Sequence, residues 1–254
     1  MLSLKEIKEE FEAADINGLP LIIKKYGLDG RAGVLKIIEQ YENKIKRHEK
    51  ELKRLNELWK YEREFYDKGA LYVAGTDEVG RGPLAGPVMA AAVILPRDVI
   101  IPGINDSKKL SEAKREELSS IILKEAVSFG FGIVSPEEID KINILNATLK
   151  AMQKAVFSLS VSPDILLIDA LTVPGLKMFQ KPIIKGDALS VSIGAASIIA
   201  KVKRDALMKE YAKEYPEYLF DKNKGYGTAE HMEAIRKHGL CPIHRKSFLK
   251  DFIN

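Results

Sequence analysis

The first 68 residues carry a helical pattern of apolar positions and little that is typical of a strand. Two sets of apolar residues recur at steps of three and four, which predicts a short amphipathic helix and, after a glycine-punctuated stretch at 18–33, a longer one. The seam of the longer helix can pack on a second chain or fold back on the first helix, and its length favours folding back. The two sets are Leu4, Ile7, Phe11 and Ala14, then Ile38, Tyr41, Ile45, His48, Leu52, Leu55 and Trp59.

After Asp67-Lys68-Gly69 the pattern changes to short β-rich segments separated by glycine and proline turns. We therefore expect a helical extension at 1–68 and an α/β domain at 69–254 whose C-terminal region is helical. The strands are predicted at 71–78, 88–95, 127–134, 165–168 and 182–185. The helices are predicted from about 111, at 143–160, at 189–211 and at 229–237.

Composition and charge narrow the classes of function. The net charge of +4 is concentrated in residues 181–254, where 14 Lys and Arg face 9 Asp and Glu, and such an excess suits a polyanionic partner. The single Cys241 excludes an internal disulfide framework and a cysteine-rich zinc site. The chain becomes charged directly after its first residues and has no apolar run of the ~20 residues that cross a bilayer. We expect a cytoplasmic protein without a membrane span.

Four carboxylates stand at the ends of predicted strands. Asp77 and Glu78 end the first strand, Asp169 ends the fourth, and Asp187 follows the fifth. Carboxylates rarely enter a core unless they are paired or hold a metal, and ligand sites lie outside the carboxyl ends of parallel strands. An oxygen-only donor set suits Mg²⁺ or Mn²⁺. Two such ions about 4 Å apart can activate water and stabilise the leaving oxygen in phosphodiester hydrolysis.

Simpler interpretations exist for each acid. Arg81 can pair with Glu78 as an ordinary surface ion pair, Asp169 can begin a turn, and Asp187 can cap the next helix. Neighbouring strand residues also point to opposite faces, so Asp77 and Glu78 reach one ion only if the backbone is irregular at Glu78 or Val79.

The segment 77–87 reads Asp-Glu-Val-Gly-Arg-Gly-Pro-Leu-Ala-Gly-Pro and resembles the signature of ribonuclease HII, the type 2 ribonucleases H. The resemblance covers about residues 71 to 254 and implies a ribonuclease H-like mixed sheet of five strands flanked by helices. Some bacterial members carry a comparable N-terminal extension. Ala170 departs from the pattern, since the family usually has glycine after the third acid. The other matching segments are 105–110, 168–169, 185–187, 195–202, 224–228 and 244–245.

The resemblance implies a metal-dependent endoribonuclease that hydrolyses the RNA strand of RNA/DNA hybrids. It also implies nicking on the 5′ side of single ribonucleotides in duplex DNA, with 3′-hydroxyl and 5′-phosphate ends. The metal ligands would be Asp77, Glu78, Asp169 and Asp187. Gly80-Arg81-Gly82 would read the sugar at the RNA–DNA junction, and Tyr226 would lie against the following sugar, which an aromatic face can test. Candidate phosphate contacts are Lys108, Lys109, Lys185, Lys201 and Arg204.

Three alternatives stay open at this point. A type 3 ribonuclease H relative would share the acids and differ around Arg81. A hybrid-binding module without activity would use its acids only to pair with bases such as Lys185. Tyr226 can also be an aromatic lid over the core, as its glycine-bounded turn permits. We expect a monomer, and the sequence does not reveal its protein partners.

Overall fold

The computed structural model describes residues 2–250, and their contacts divide the chain into two compact units between Asn56 and Glu57. The sequence pattern places its boundary after residue 68. Residues 57–68 therefore belong to the second unit by their contacts and to the helical extension by their sequence.

The first unit is helical, as its apolar pattern predicts. Its elements are α1 (Leu4–Ala13), α2 (Leu19–Tyr26) and α3 (Ala32–Leu58), the last of which crosses the boundary. However, α2 lies in the glycine-punctuated stretch 18–33, where the pattern predicts no helix. A capping box between Ser3 and Glu6 begins α1 by satisfying free amides of its first turn. The rings of Phe11 and Tyr41 stack with centroids 4.7 Å apart in a core shared by the three helices. The first part of α3 thus folds back on α1.

The middle of α3 differs from the predicted seam. His48 and Leu52 are exposed, although both lie on the repeating positions of that seam. The periodicity correctly predicts a helix, but it does not determine how much of the seam finds a packing partner.

The second unit is built on a mixed sheet of five strands in the order β3-β2-β1-β4-β5, the architecture expected from the resemblance. β1 pairs antiparallel with β2 and parallel with β4, β2 pairs antiparallel with β3, and β4 pairs parallel with β5. The strands are β1 (Val73–Val79), β2 (Val88–Ile94), β3 (Ser128–Val134), β4 (Ile165–Asp169) and β5 (Phe179–Ile183). The central strands are buried on both faces, which explains their continuous apolar sequences.

Helices cover both faces of this sheet. They are α4 (Lys60–Tyr66), α5 (Glu112–Glu125), α6 (Pro136–Phe157), α7 (Gly186–Leu189), α8 (Val191–Glu214), α9 (Phe220–Asn223) and α10 (Ala229–His238). A Cβ at Gly75 of β1 would lie 2.2 Å from the backbone carbon of Ser192 in α8. A Cβ at Gly132 of β3 would lie 1.8 Å from the carbonyl oxygen of Ala151 in α6. Glycine at both positions lets one helix approach each face closely.

Two predicted element bounds are wrong. β5 begins three residues and ends two residues earlier than expected, because Phe179 to Ile183 pair with β4 and the more apolar Ile184 is left exposed. The helix expected from residue 143 begins at Pro136, and its kink falls at Asn143, whose φ is 66°. No helix in residues 2–250 has the length and apolarity to cross a membrane.

Candidate active site

The four predicted acids lie at one edge of the sheet. Asp77 and Glu78 are near the end of β1, and Asp169 is the last residue of β4. These strands are parallel neighbours with Thr76 opposite Ile168, so their final residues emerge side by side. Asp187 lies in α7, which follows β5, the parallel neighbour of β4.

The predicted backbone irregularity at Glu78 or Val79 is wrong. β1 pairs with β2 in unbroken register as far as Val79, which lies opposite Met89. Asp77 and Glu78 therefore leave the strand on opposite faces, with Asp77 hydrogen-bonded to Ser197 of α8. Both still reach the same edge because the strand ends one residue later.

Glu78 also makes the ion pair expected from the simpler interpretation. Its Oε1 accepts a hydrogen bond from Nη1 of Arg81 at 3.2 Å. The Arg81 side chain is 45% exposed and that of Glu78 is 14% exposed, so the pair joins an exposed cation to a largely buried carboxylate. The pair orients the Glu78 carboxylate through Oε1 and leaves its other oxygen available to a ligand.

A cavity of about 330 Å³ lies beside Asp77 and Glu78. Gly80-Arg81-Gly82 forms one wall, and the ring of Tyr226 faces it, with Cε1 3.6 Å from where a Cβ at Gly82 would stand. Tyr226 is 46% exposed, so its ring is available to a ligand. The acids of β1 and the residues expected to read a sugar thus share one cavity.

Burial makes the acids of this edge hard to ionise together. Desolvation raises the pKa of Asp77 well above its ordinary value, and the charge of Glu78 raises it further. Desolvation also raises the pKa values of Glu78 and Asp187. Carboxylates in this situation take up protons or share a cation.

Lys108 brings one positive charge to the same edge. Its Nζ lies 3.9 Å from Oδ2 of Asp187. Desolvation lowers the pKa of Lys108, but the surrounding acids outweigh that effect and raise it. In order of their effect, those acids are Asp187, Asp77, Asp106 and Asp169. The potential at this edge therefore favours a cation.

The donor set agrees with a hard divalent cation. Within residues 2–250, no three His, Cys, Asp or Glu side chains lie close enough together to enclose one ion. A closed cage is not what Mg²⁺ requires, because it binds through one or two carboxylates and completes its shell with water and substrate phosphate. Oxygen donors of this kind suit Mg²⁺ or Mn²⁺.

Ser107 and Ser197 support Asp77, and the sequence patterns assigned neither of them a role. Their hydroxyl oxygens lie 2.9 Å apart in a buried contact, and Ser197 is hydrogen-bonded to Asp77. The chain of hydroxyls fixes one side of the carboxylate. The signal in the sequence is that Ser107 and Ser197 fall in segments 105–110 and 195–202, which match the family pattern.

The prediction that Arg204 contacts phosphate is wrong, because the structure buries this residue. Its side chain is 0% exposed. Its guanidinium donates to the carbonyl oxygens of Pro87 at 3.0 Å, Lys224 at 3.0 Å and Ala85 at 3.2 Å. Arg204 therefore ties the segment that follows Gly80-Arg81-Gly82 to the segment that carries Tyr226.

Arg245 binds the backbone of the Gly80-Arg81-Gly82 segment. It is also fully buried and donates to the carbonyl oxygens of Gly86 at 2.9 Å, Arg81 at 3.0 Å and Gly80 at 2.6 Å. Desolvation and the nearby Arg204 charge lower the pKa of Arg245 to about 9. The backbone facing the cavity is thus fixed from inside the protein.

The remaining candidate lysines lie in different surroundings. Lys201 lines the cavity and pairs with Asp205, Nζ to Oδ1, at 2.7 Å. Lys109 and Lys185 are exposed and lie outside the cavity lining. Of the five basic residues predicted to contact phosphate, Lys108 and Lys201 are the two that face the acids.

Ala170 occupies the turn directly after the third acid with a φ of 55°. This left-handed conformation suits glycine and costs an L-residue about 1–2 kcal/mol. Its amide donates to the carbonyl oxygen of Ile183 at 3.2 Å, which holds the turn in place despite the strain.

Comparison with known proteins agrees with this geometry. The sequence profile described as Ribonuclease HII matches residues 74–251, and the profile described as Ribonuclease HII N-terminal domain matches residues 3–66. The chain belongs to the ribonuclease HII family. It is therefore an endoribonuclease of the type 2 ribonuclease H class, whose activity is directed at RNA/DNA hybrids and which depends on divalent metal.

Relatives named Ribonuclease HII match nearly the whole chain. The protein of Clostridioides difficile (strain 630) is 52% identical over 251 residues, which cover 99% of this chain and 98% of the relative. That of Acetivibrio thermocellus is 54% identical over 254 residues, covering 99% and 98%. The similarity thus extends through the N-terminal helices as well as the nuclease core.

Solved structures share the fold of the core. Ribonuclease H2 from Pyrococcus horikoshii OT3 is 28% identical with a TM-score of 0.58, covering 70% of this chain and 93% of that one. The RNase HII of Archaeoglobus fulgidus, solved in complex with PCNA, is 25% identical with the same TM-score, covering 70% and 94%. RNase HIII solved as Bst-RNase HIII with Mn²⁺ has a TM-score of 0.54 at 20% identity, covering 68% and 65%, and indicates the fold alone.

Proposed function

We propose that this ribonuclease HII cleaves RNA within RNA/DNA hybrids and also nicks duplex DNA on the 5′ side of a single embedded ribonucleotide. The products are a 3′-hydroxyl and a 5′-phosphate. The observation that carries the proposal is the shared cavity, where Asp77 and Glu78 face the Gly80-Arg81-Gly82 backbone and the Tyr226 ring.

The two sides of the cavity suit two different tasks. The 2′-hydroxyl is the local difference between RNA and DNA, and glycine backbone can approach it because no side chain intervenes. Tyr226 offers a half-exposed aromatic face to the neighbouring sugar. Arg245 holds the carbonyl groups of Gly80 and Arg81, so this surface is organised before substrate arrives.

Asp77, Glu78, Asp169 and Asp187 are the residues we assign to a pair of Mg²⁺ or Mn²⁺ ions. When bound, such a pair supplies an activated water and stabilises the leaving oxygen. Ser197 keeps the Asp77 carboxylate oriented, and Arg81 does the same for Glu78.

Lys108 and Lys201 are the basic residues we assign to substrate phosphates, because both line the cavity. Contacts of this kind position a duplex without reading its sequence. We assign the nuclease activity to residues 69–254 and a monomer to the active form.

The test uses a labelled DNA duplex with one ribonucleotide, incubated with Mg²⁺, Mn²⁺ or EDTA. We expect a metal-dependent nick 5′ to the ribonucleotide, lost in Asp77→Asn. The matched control is Asp221→Asn, which alters an exposed acid outside the cavity and should leave the nick intact. Cleavage of long hybrids alone would remove the junction role of Gly80-Arg81-Gly82, and binding without any cleavage would favour a hybrid-binding module.

A further inference from the structure

Behind Tyr226, away from the acids, two buried histidines form a hydrogen-bonded chain. Nδ1 of His231 lies 2.8 Å from the carbonyl oxygen of Tyr226, and Nε2 of His231 lies 3.0 Å from Nε2 of His244. Nδ1 of His244 lies 3.0 Å from the backbone nitrogen of Cys241. His231 is 0% exposed and His244 is 3% exposed, so the chain is shielded from water.

The partners at the two ends determine which nitrogens carry protons. A carbonyl oxygen only accepts, so Nδ1 of His231 must donate to Tyr226. A backbone amide only donates, and a thiol can donate, so Nδ1 of His244 accepts from the Cys241 amide at 3.0 Å with the Cys241 Sγ at 3.1 Å beside it. The Cys241 carbonyl oxygen lies farther away, at 3.3 Å, and already accepts from the His244 amide. When both rings are neutral, the hydrogen bond between the two histidines has one possible direction. Nε2–H of His244 donates to Nε2 of His231.

The surroundings keep both rings neutral. Protonating either ring would place two N–H groups face to face across the 3.0 Å contact or remove the acceptor for the Cys241 amide. Desolvation, and then the neighbouring His231, lower the pKa of His244 to about 4, and desolvation lowers that of His231. The rings of Tyr218 and Phe220 pack against both histidines and exclude water.

We propose that the His231–His244 pair is a positioning device for Tyr226, fixing its backbone so that its ring faces the glycine wall of the cavity. The segment is also held at Lys224, whose carbonyl oxygen accepts from Arg204, and at Gly225, whose carbonyl oxygen accepts from the amides of Leu84 at 2.8 Å and Ala85 at 3.2 Å. The amide of Tyr226 donates to the carbonyl oxygen of Asn223 at 2.9 Å, and its carbonyl oxygen accepts from the Thr228 amide at 2.9 Å. The histidine bond is a second hydrogen bond to that carbonyl oxygen, and it comes from a side chain of α10. The sugar role of Tyr226 rests on the proposed function, whereas the direction of the hydrogen-bond chain does not.

The first test measures the tautomers directly. Ring ¹⁵N chemical shifts of the intact chain at neutral pH should identify His231 as the Nδ1–H form and His244 as the Nε2–H form. The chain has four histidines, so His48→Gln and His238→Gln complete the assignment. The opposite tautomer at either position, or a charged ring, overturns the proposal whether or not the protein cleaves the proposed substrate.

The second test uses two substitutions that differ in which ring nitrogen they replace. His231→Asn keeps an N–H near the position of Nδ1, and His231→Gln places its amide near Nε2 instead. We expect His231→Gln to lower kcat/KM for the single-ribonucleotide duplex about three- to tenfold, the effect of one neutral hydrogen bond. His231→Asn should return most of that loss, which a merely space-filling role would not produce.

A double-mutant cycle decides whether the effect passes through Tyr226. With Tyr226→Ala in place, adding His231→Gln should change kcat/KM by less than about twofold, because the element it positions is gone. Additive losses, or no loss from His231→Gln alone, overturn the proposal. If the wild-type chain cuts no ribonucleotide-containing duplex, the proposed function fails and the ¹⁵N measurement still decides the hydrogen-bond chain.

Discussion

Glu62 provides the sharpest test of the energetics. It belongs to α4, is 0% exposed, and lies against the first turn of α8. Its Oε1 accepts from Oγ of Ser190 at 2.5 Å and from the amide of Ser192 at 3.0 Å. Within residues 2–250, Oε2 of Glu62 and Oγ of Ser192 are the two buried side-chain polar atoms without a hydrogen-bond partner. Desolvation raises the pKa of Glu62 above its usual 4.5.

We predict that Glu62→Gln stabilises the protein at pH 7. The amide keeps an oxygen for Ser190 and Ser192, supplies an N–H to the unpartnered Ser192 hydroxyl, and carries no charge. One hydrogen bond contributes about 0.5–1.5 kcal/mol, and each unit by which burial raises a pKa costs about 1.4 kcal/mol at high pH. A gain of about 1 kcal/mol should raise Tm by about 2–4 °C.

The sign of the pH dependence follows from the raised pKa. The folded state holds the Glu62 proton more tightly than the unfolded state, so the wild-type free energy of unfolding falls as pH rises through 4.5 toward the folded pKa. Glu62→Gln removes that fall, so its advantage should vanish at low pH. Urea unfolding from pH 4 to 8 measures both curves. A variant less stable than wild type at pH 7, or a difference independent of pH, would refute the reasoning.

Glu64, on the same helix, is a control with the opposite sign. Hydrogen bonds from Lys181 and Lys68 lower the pKa of Glu64 to about 2. Its contribution is present above pH 4.5 and is lost as pH falls toward 2. Glu64→Gln should therefore destabilise the protein at neutral pH and approach the wild type in acid.

Three other substitutions test the site. Ala170→Gly relieves a φ of 55° and should raise the free energy of unfolding by up to about 1 kcal/mol, whereas a loss would mean that chain entropy outweighs the strain. Lys108→Gln should weaken hybrid binding and reduce the slope of log K against log salt by about 1, and an unchanged slope would place Lys108 away from phosphate. Arg245→Lys cannot donate to three carbonyls in the same fork geometry, so calorimetry should show a loss of about 3 kcal/mol or more, and wild-type stability would contradict the role assigned to it.

The sequence by itself indicated the five strands, most of the longer helices and the position of the acids at strand ends. Short apolar runs that end in carboxylates predict buried strands with charges at their ends, and the structure places Asp77 and Asp169 on adjacent parallel strands. The 77–87 signature was enough to indicate the family, and the profile match agrees with it. Steps of three and four predicted α1 and α3, because helical periodicity is a local property of the chain.

Only the tertiary structure decided which polar groups are buried and what they contact. Arg204 follows Lys201 in one basic stretch of sequence, yet it is enclosed and binds carbonyl groups supplied by segments 85–87 and 224. The hydrogen bond from Ser190 to Glu62 likewise joins residues 128 positions apart in the chain. The His231–His244 contact spans only 13 positions, but it depends on how α10 packs against the segment that follows it. Periodicity records only local repeats, so it cannot specify a partner that long-range packing brings into contact.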